Sequence, residues 1–144
     1  MSIDDLTEMV IGYAITVHTA LGPGLLESIY RDCLVLELVA NELLVEVERR
    51  VPVIYREVRL RDDLRLDLLI DEKVVVEVKA VDRLHPIHQA QLVTYLKLSG
   101  FPAGLLINFN AMSVRAGMRR CDHPEIYAAK KQAKIDAARA RARK

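Results

Sequence analysis

The chain has 144 residues, 51% of them hydrophobic, with 21 Lys/Arg against 20 Asp/Glu and a formal net charge of +1. That is enough for one domain with a sizeable core and excludes a disordered polyelectrolyte. No apolar run reaches the roughly 20 residues of a membrane span, and Met1-Ser2-Ile3-Asp4-Asp5 is acidic where a signal peptide would be basic. Cys33 and Cys121 are the only cysteines, which excludes a four-thiolate zinc or iron–sulfur site. A reduced, cytoplasmic protein is the simplest reading. The near-neutral total hides an asymmetry. Arg115–Lys144 carries ten basic and three acidic residues, against 11 basic and 17 acidic before it, so a basic tail for a polyanionic partner is expected beyond an acidic body.

Leu6, Met9, Val10, Tyr13, Ala14 and Val17 keep helical spacing, which predicts an opening amphipathic helix ended by Gly22-Pro23-Gly24. A second helix is predicted from near Leu25 to about Ala40, with Leu26, Ile29, Tyr30, Cys33 and Leu34 on its apolar face. From Leu43 the period changes to two: Val45, Val47 and Val51 alternate with Glu46, Glu48 and Arg50, so a half-exposed strand is expected. Pro52 favours an edge position or the start of a further strand, Val53-Ile54-Tyr55, and Arg56–Asp63 reads as a turn region.

The next two segments are unusual. Leu66-Asp67-Leu68-Leu69-Ile70 and Val74-Val75-Val76-Glu77-Val78-Lys79 read as strands joined by a hairpin turn at Asp71-Glu72-Lys73. Charges in strands this apolar are expensive, several kcal/mol for each buried ion that nothing compensates. If Ile70 pairs with Val74, Asp67 opposes Glu77 and Arg65 opposes Lys79. Two carboxylates about 4 Å apart repel by about 4 kcal/mol at an effective dielectric near 20, and a bound divalent cation turns that repulsion into attraction. The structural alternative is a salt-bridge cluster in which Arg65 and Lys79 neutralise the acids, although apolar replacements would often be more stable. An all-oxygen ligand set favours Mg²⁺ or Mn²⁺ over zinc.

After Arg83 a helix is predicted with Pro86 in its first turn and Ile87, Gln91, Tyr95 and Leu98 on one stripe. Gln91 lies among apolar neighbours and needs hydrogen-bond partners if buried. For Tyr95 the alternative to a site role is ordinary amphipathic core, and for His88 a structural role. Gly100-Phe101-Pro102 ends this helix, and Ala103–Phe109 reads as a buried strand. The expected division is a domain over residues 1–114 and a basic Ala/Lys/Arg-rich tail over residues 115–144.

Gly24-Leu25-Leu26-Glu27-Ser28-Ile29-Tyr30 resembles the signature of the bacterial GxxExxY family. So do Glu77-Val78-Lys79-Ala80-Val81, His88-Gln89-Ala90-Gln91-Leu92, Tyr95-Leu96-Lys97 and Gly104-Leu105-Leu106-Ile107-Asn108-Phe109, and the resemblance runs to Asn110. That family looks like a compact branch of the PD-(D/E)xK nuclease superfamily, and Gln91-x-x-x-Tyr95 is similar to the extra helix motif of its RecB-type members. The motif's proline is missing before Asp67, where Leu66 stands. The resemblance implies an α/β, restriction-endonuclease-like core, a mixed β-sheet flanked by α-helices. It also implies Mg²⁺- or Mn²⁺-dependent hydrolysis of phosphodiester bonds in nucleic acid, DNA more than RNA. By the same resemblance Asp67 and Glu77 hold the cation, with Glu27 assisting it from the second helix. Lys79 would orient or activate water, and Gln91 and Tyr95 would support the site. The alternative is a nucleic-acid-binding or protein-interaction module that keeps the fold without efficient turnover.

Overall fold

A computed structural model describes residues 1–143. Lys144, the last residue of the expected basic tail, lies outside the described residues. The elements in chain order are α1 (Ile3–Leu21), α2 (Glu27–Ala40), β1 (Val45–Tyr55), β2 (Val58–Ile70), β3 (Val74–Lys79), α3 (Pro86–Ser99), β4 (Ala103–Asn108), β5 (Met118–Asp122) and α4 (Pro124–Ala142). The five strands form one mixed sheet in the order β1-β2-β3-β4-β5, in which only β3 and β4 run parallel. Helix α3 supplies the crossover between those two. The fold is α/β, with the arrangement of a restriction-endonuclease-like core.

The Ser2 side chain caps α1 by accepting from the Asp5 N–H at 3.0 Å. Its Leu6, Val10, Ala14 and Val17 recur at helical spacing and are buried. The link to α2 needs two left-handed residues, and Gly22 (φ 72) and Gly24 (φ 102) supply them without a Cβ clash. On α2 the buried stripe is Tyr30, Leu34 and Leu38. Leu26 and Ile29, expected on that face, are 71% and 40% exposed. Leu26 precedes the first helical turn, and Ile29 stands one position off the i, i+4, i+8 line that Tyr30 sets.

Helices α1 and α2 cover one sheet face, packing on Leu68, Ile70, Val74, Val76, Val78, Leu105 and Ile107. Helix α3 covers the other through Leu92 and Leu96, which meet Val51, Leu66, Leu69, Val75 and Leu106. The stripe expected on α3 is thus corrected: Ile87 and Leu98 are exposed, and the docked residues are the two leucines beside it. Gly104 decides this, because a Cβ there would lie 2.8 Å from Leu92 Cδ1. Leu66 and Leu68 belong to opposite faces, so the strand's alternation slips at Asp67.

Strand β1 does not break at Pro52. It continues to Tyr55, with a register shift between Pro52 and Ile54. An edge strand has one side free of ladder bonds, so the missing N–H is tolerated. The turn region expected over Arg56–Asp63 shrinks to Arg56 and Glu57, both at positive φ (49° and 65°), and β2 starts at Val58. Its charged residues looked like loop because the outer half of this hairpin is a two-stranded ribbon, wet on both faces. Ile54, Tyr55, Val58 and Leu60 are exposed there.

Strand β5 lies inside the segment expected to be tail. It pairs with β4 from Ala103↔Asp122 to Ile107↔Met118 and buries Cys121. Met118-Arg119-Arg120-Cys121-Asp122 is too polar for a central strand but suits an edge. The basic segment after it is helical as α4, with no buried residue. Among the described residues no helix is long and apolar enough to cross a membrane.

Candidate metal and catalytic site

The β2–β3 ladder runs from Ile70↔Val74 to Leu68↔Val76 and stops. One step further, side chains take over from the backbone. The Asp67 N–H donates to Glu77 Oε1 at 3.1 Å, and the Val78 N–H donates to Asp67 Oδ2 at 2.9 Å. Each carboxylate satisfies a main-chain donor of the opposite strand where the two strands part. On the other flank, Glu48 lies between the pairs Val47↔Leu68 and Arg49↔Leu66, opposite Asp67, and has φ 51. Asp67 therefore sits where the ladders on both sides are interrupted, at the same point as the slip in alternation.

Glu77 is 5% exposed, whereas Asp67 is half-buried. Burial, and then the charge of Asp67, push the Glu77 carboxyl up to about 8, with Lys79 pulling weakly the other way. At neutral pH Glu77 thus keeps its proton. Lys79, two residues along β3, is half-buried and pairs with Asn108 in the parallel ladder. It does not oppose Arg65: the ladder ends before them, and Arg65 is exposed opposite Arg50. The Arg65–Lys79 neutralising pair is therefore absent, which removes half of the salt-bridge alternative.

From α3, Tyr95 enters the field of both acids. Burial first, then the charges of Glu77 and Asp67, raise its phenol. Gln91, one turn earlier, is half-buried and makes no hydrogen bond to either carboxylate among the described residues. His88 has the structural role, its Nδ1 accepting the His85 N–H at 3.0 Å to cap the helix start.

Glu27 stands apart from the pair. It is exposed at the first position of α2, and its Oε1 accepts the Ala80 N–H at 3.3 Å, just past the end of β3. Among the described residues no group of three or more His, Cys, Asp or Glu is placed to hold a metal ion. What converges is two carboxylates, Asp67 and Glu77, each bound to the other's strand. That oxygen donor set fits a hard divalent cation such as Mg²⁺, which binds through one or two carboxylates and takes its remaining ligands from water and phosphate.

Two further residues position the site, and the sequence showed them only as an apolar-face position and as parts of the family signature. Tyr30 donates to the Gly22 carbonyl at 2.6 Å, accepts the Leu25 N–H at 3.0 Å and stacks on Phe109 at 4.7 Å. It fixes the loop from which Glu27 starts. Asn108 is buried, accepts the Val81 N–H at 3.1 Å and donates to the Val81 carbonyl at 2.9 Å, holding the chain as it leaves β3. Its signal was available: a lone amide closing the apolar run Leu105-Leu106-Ile107.

The family model described as the PD-(D/E)XK nuclease superfamily matches residues 4–121. The match spans most of the chain, which therefore belongs to that superfamily. No curated protein and no solved structure gives a significant match.

Proposed function

From this membership of the PD-(D/E)XK nuclease superfamily we infer that the chain is a Mg²⁺- or Mn²⁺-dependent nuclease of the GxxExxY branch, with DNA as substrate before RNA. The observation that carries the reading is the mutual capping of Asp67 and Glu77, two acids joined through each other's strands with one proton held back. When bound, a divalent cation supplies charge neutralisation at the phosphate and acidifies the attacking water. Asp67 and Glu77 would hold it, Glu77 giving up its proton. Lys79, two residues on, would orient the nucleophile with its ammonium and take up negative charge on a phosphate oxygen. Tyr95 offers a hydroxyl whose proton burial, and then the two acids, help to retain, and Gln91 an amide one turn away. Glu27 braces the Ala80 amide from α2, so the backbone after Lys79 keeps its course.

The test is cleavage of labelled single-stranded DNA, duplex DNA and RNA with Mg²⁺ or Mn²⁺. Metal-dependent cutting by the wild type, abolished in Glu77→Gln, Asp67→Asn and Lys79→Ala, is the expected result. If the wild type cuts nothing in a broad panel yet binds nucleic acid, a binding module on the nuclease fold replaces this reading.

A further inference from the structure

The sheet opens on one side of Lys79 and is extended on the other. Toward β2 the ladder ends at Leu68↔Val76, and the bonds that Asp67 makes with Glu77 and Val78 are the last across that gap among the described residues. Toward β4 the backbone rungs end at Lys79↔Asn108, where the Phe109 N–H donates to the Lys79 carbonyl at 2.9 Å. One step further a parallel ladder would use both backbone groups of Val81, but β4 stops at Asn108 and the chain turns. The Asn108 side chain supplies the missing rung. Its amide meets Val81 as a peptide group would, accepting the N–H at 3.1 Å and donating to the carbonyl at 2.9 Å. Asn110 supports it from the turn: its N–H donates to Asn108 Oδ1 at 3.2 Å, and its Nδ2 to the Val81 carbonyl at 3.3 Å. Asn108 is 2% exposed, so this amide has no water to turn to instead.

Alternation puts this amide beside the side chains of the site. Val75 and Leu106 pack against α3, so Glu77 and Lys79 on β3 and Asn108 on β4 share that face. Lys79 and Asn108 stand on one rung, on strands about 5 Å apart. We propose that Asn108 is the positioning residue for Lys79: its side-chain amide replaces a rung of the sheet, so the end of β3 keeps its course after β2 has parted from it. The ammonium thereby keeps its place next to the carboxylate pair. The proposal rests on the nuclease reading, in which Lys79 acts on the nucleophile. Fraying of this strand end displaces Lys79 before Glu77, because Glu77 is tied to the Asp67 N–H on the facing strand. The expected signature is a loss of turnover with metal binding intact.

The test compares Asn108→Ala in the full chain with Val10→Ala, a core truncation under α1 on the other sheet face. Metal-dependent DNA cleavage is measured below the melting temperature of both. Asn108→Ala should lower kcat about 100-fold, the cost of displacing a reacting group by about 1 Å, and leave KM unchanged. The rise in melting temperature with Mn²⁺ should persist. In hydrogen exchange the Val81 amide should lose protection while that of Val75, in mid-strand, keeps it. Val10→Ala should lower the melting temperature and leave kcat unchanged. Where the alanine variant does not fold, Asn108→Asp takes its place: it keeps the size and the bond from the Val81 N–H but turns an oxygen on the Val81 carbonyl, and it should show the same loss of kcat and of Val81 protection. Wild-type kcat in the Asn108 variant, or an equal fall in Val10→Ala, overturns the assignment and leaves the nuclease reading standing. Loss of the Mn²⁺ shift in the Asn108 variant makes the residue a support of the carboxylates instead and also overturns it. A wild type that cuts nothing overturns the nuclease reading and the assignment together.

Discussion

Glu77 couples a proton to the fold. Its carboxyl titrates near 8 in the folded chain, against 4.5 for the unperturbed side chain. Between those values the folded state holds a proton that the unfolded state has released, so metal-free stability falls as pH rises from about 4.5 to about 8 and levels off above. The full change is roughly 5 kcal/mol. Urea titrations across that range should show the decline, and Glu77→Gln should flatten it. A divalent cation competes with the same proton. Mn²⁺ should therefore raise the melting temperature more at pH 8 than at pH 6, and Asp67→Asn or Glu77→Gln should abolish the shift in differential scanning fluorimetry. These two acids were legible in the sequence because a carboxylate in an apolar strand has an energetic cost that demands a reason. Glu48 was not, since its role depends on a ladder that no local pattern specifies, and the lone amide of Asn108 was visible without its partner Val81.

The first two helices followed from periodicity, because a buried face repeats with the geometry of its element, and the central strands β3 and β4 from unbroken apolar runs buried on both faces. The outer β1–β2 hairpin did not, since a ribbon exposed on both faces leaves no repeat to read. Its turn also defies local preference. Arg56 and Glu57 occupy left-handed positions at which Asn-Gly is favoured. Arg56→Asn with Glu57→Gly should stabilise the chain by about 1 kcal/mol, read from the urea midpoint with an unchanged denaturant slope. The loop after β4 is the opposite case. A Cβ on Gly117 would lie 2.5 Å from Ala111 Cβ and 2.6 Å from the Asn108 carbonyl oxygen. Because the Gly117 carbonyl also accepts the Asn108 N–H at 2.8 Å, Gly117→Ala should cost about 1–3 kcal/mol. It should also lower cleavage by disturbing the residue that holds Val81.

Across the whole molecule, charge and chemistry occupy opposite ends. Asp67, Glu77 and Lys79 lie toward the C-terminal end of β3. A groove of about 700 Å³ lies beyond the start of β4, where α4 meets the beginning of α1 and Lys130, Lys131, Lys134 and Arg120 line it. Asp4 answers that field: the Arg120 hydrogen bond, reinforced by the charges of Lys130 and Lys134, holds its carboxyl low. A polyanion in that groove, level with Pro102, would sit roughly 13 Å along the strands from Glu77, because Leu106, the ladder partner of Glu77, lies four residues on. Deleting Lys130–Lys144 should leave folding and the Mn²⁺ shift intact, since α4 buries no residue. The salt slope for duplex DNA should flatten by about 0.9 for each phosphate that the shortened chain no longer neutralises. An unchanged slope would make the helix a solubilising end or a surface for a protein partner.

The interruptions in β1 also govern what happens at the sheet's outer border. That strand's outward side is free of ladder bonds, the kind of row on which another chain can add a strand and start a fibril. Glu48, turned out of the extended region, and Pro52, which has no N–H to offer, leave only Arg49-Arg50-Val51 as a regular run between them. Three residues with two arginines make a poor template. The same kink that opens the sheet around Asp67 thus guards the protein against polymerising through its border, and Pro52→Val with Arg50→Val should bring on thioflavin-positive aggregation.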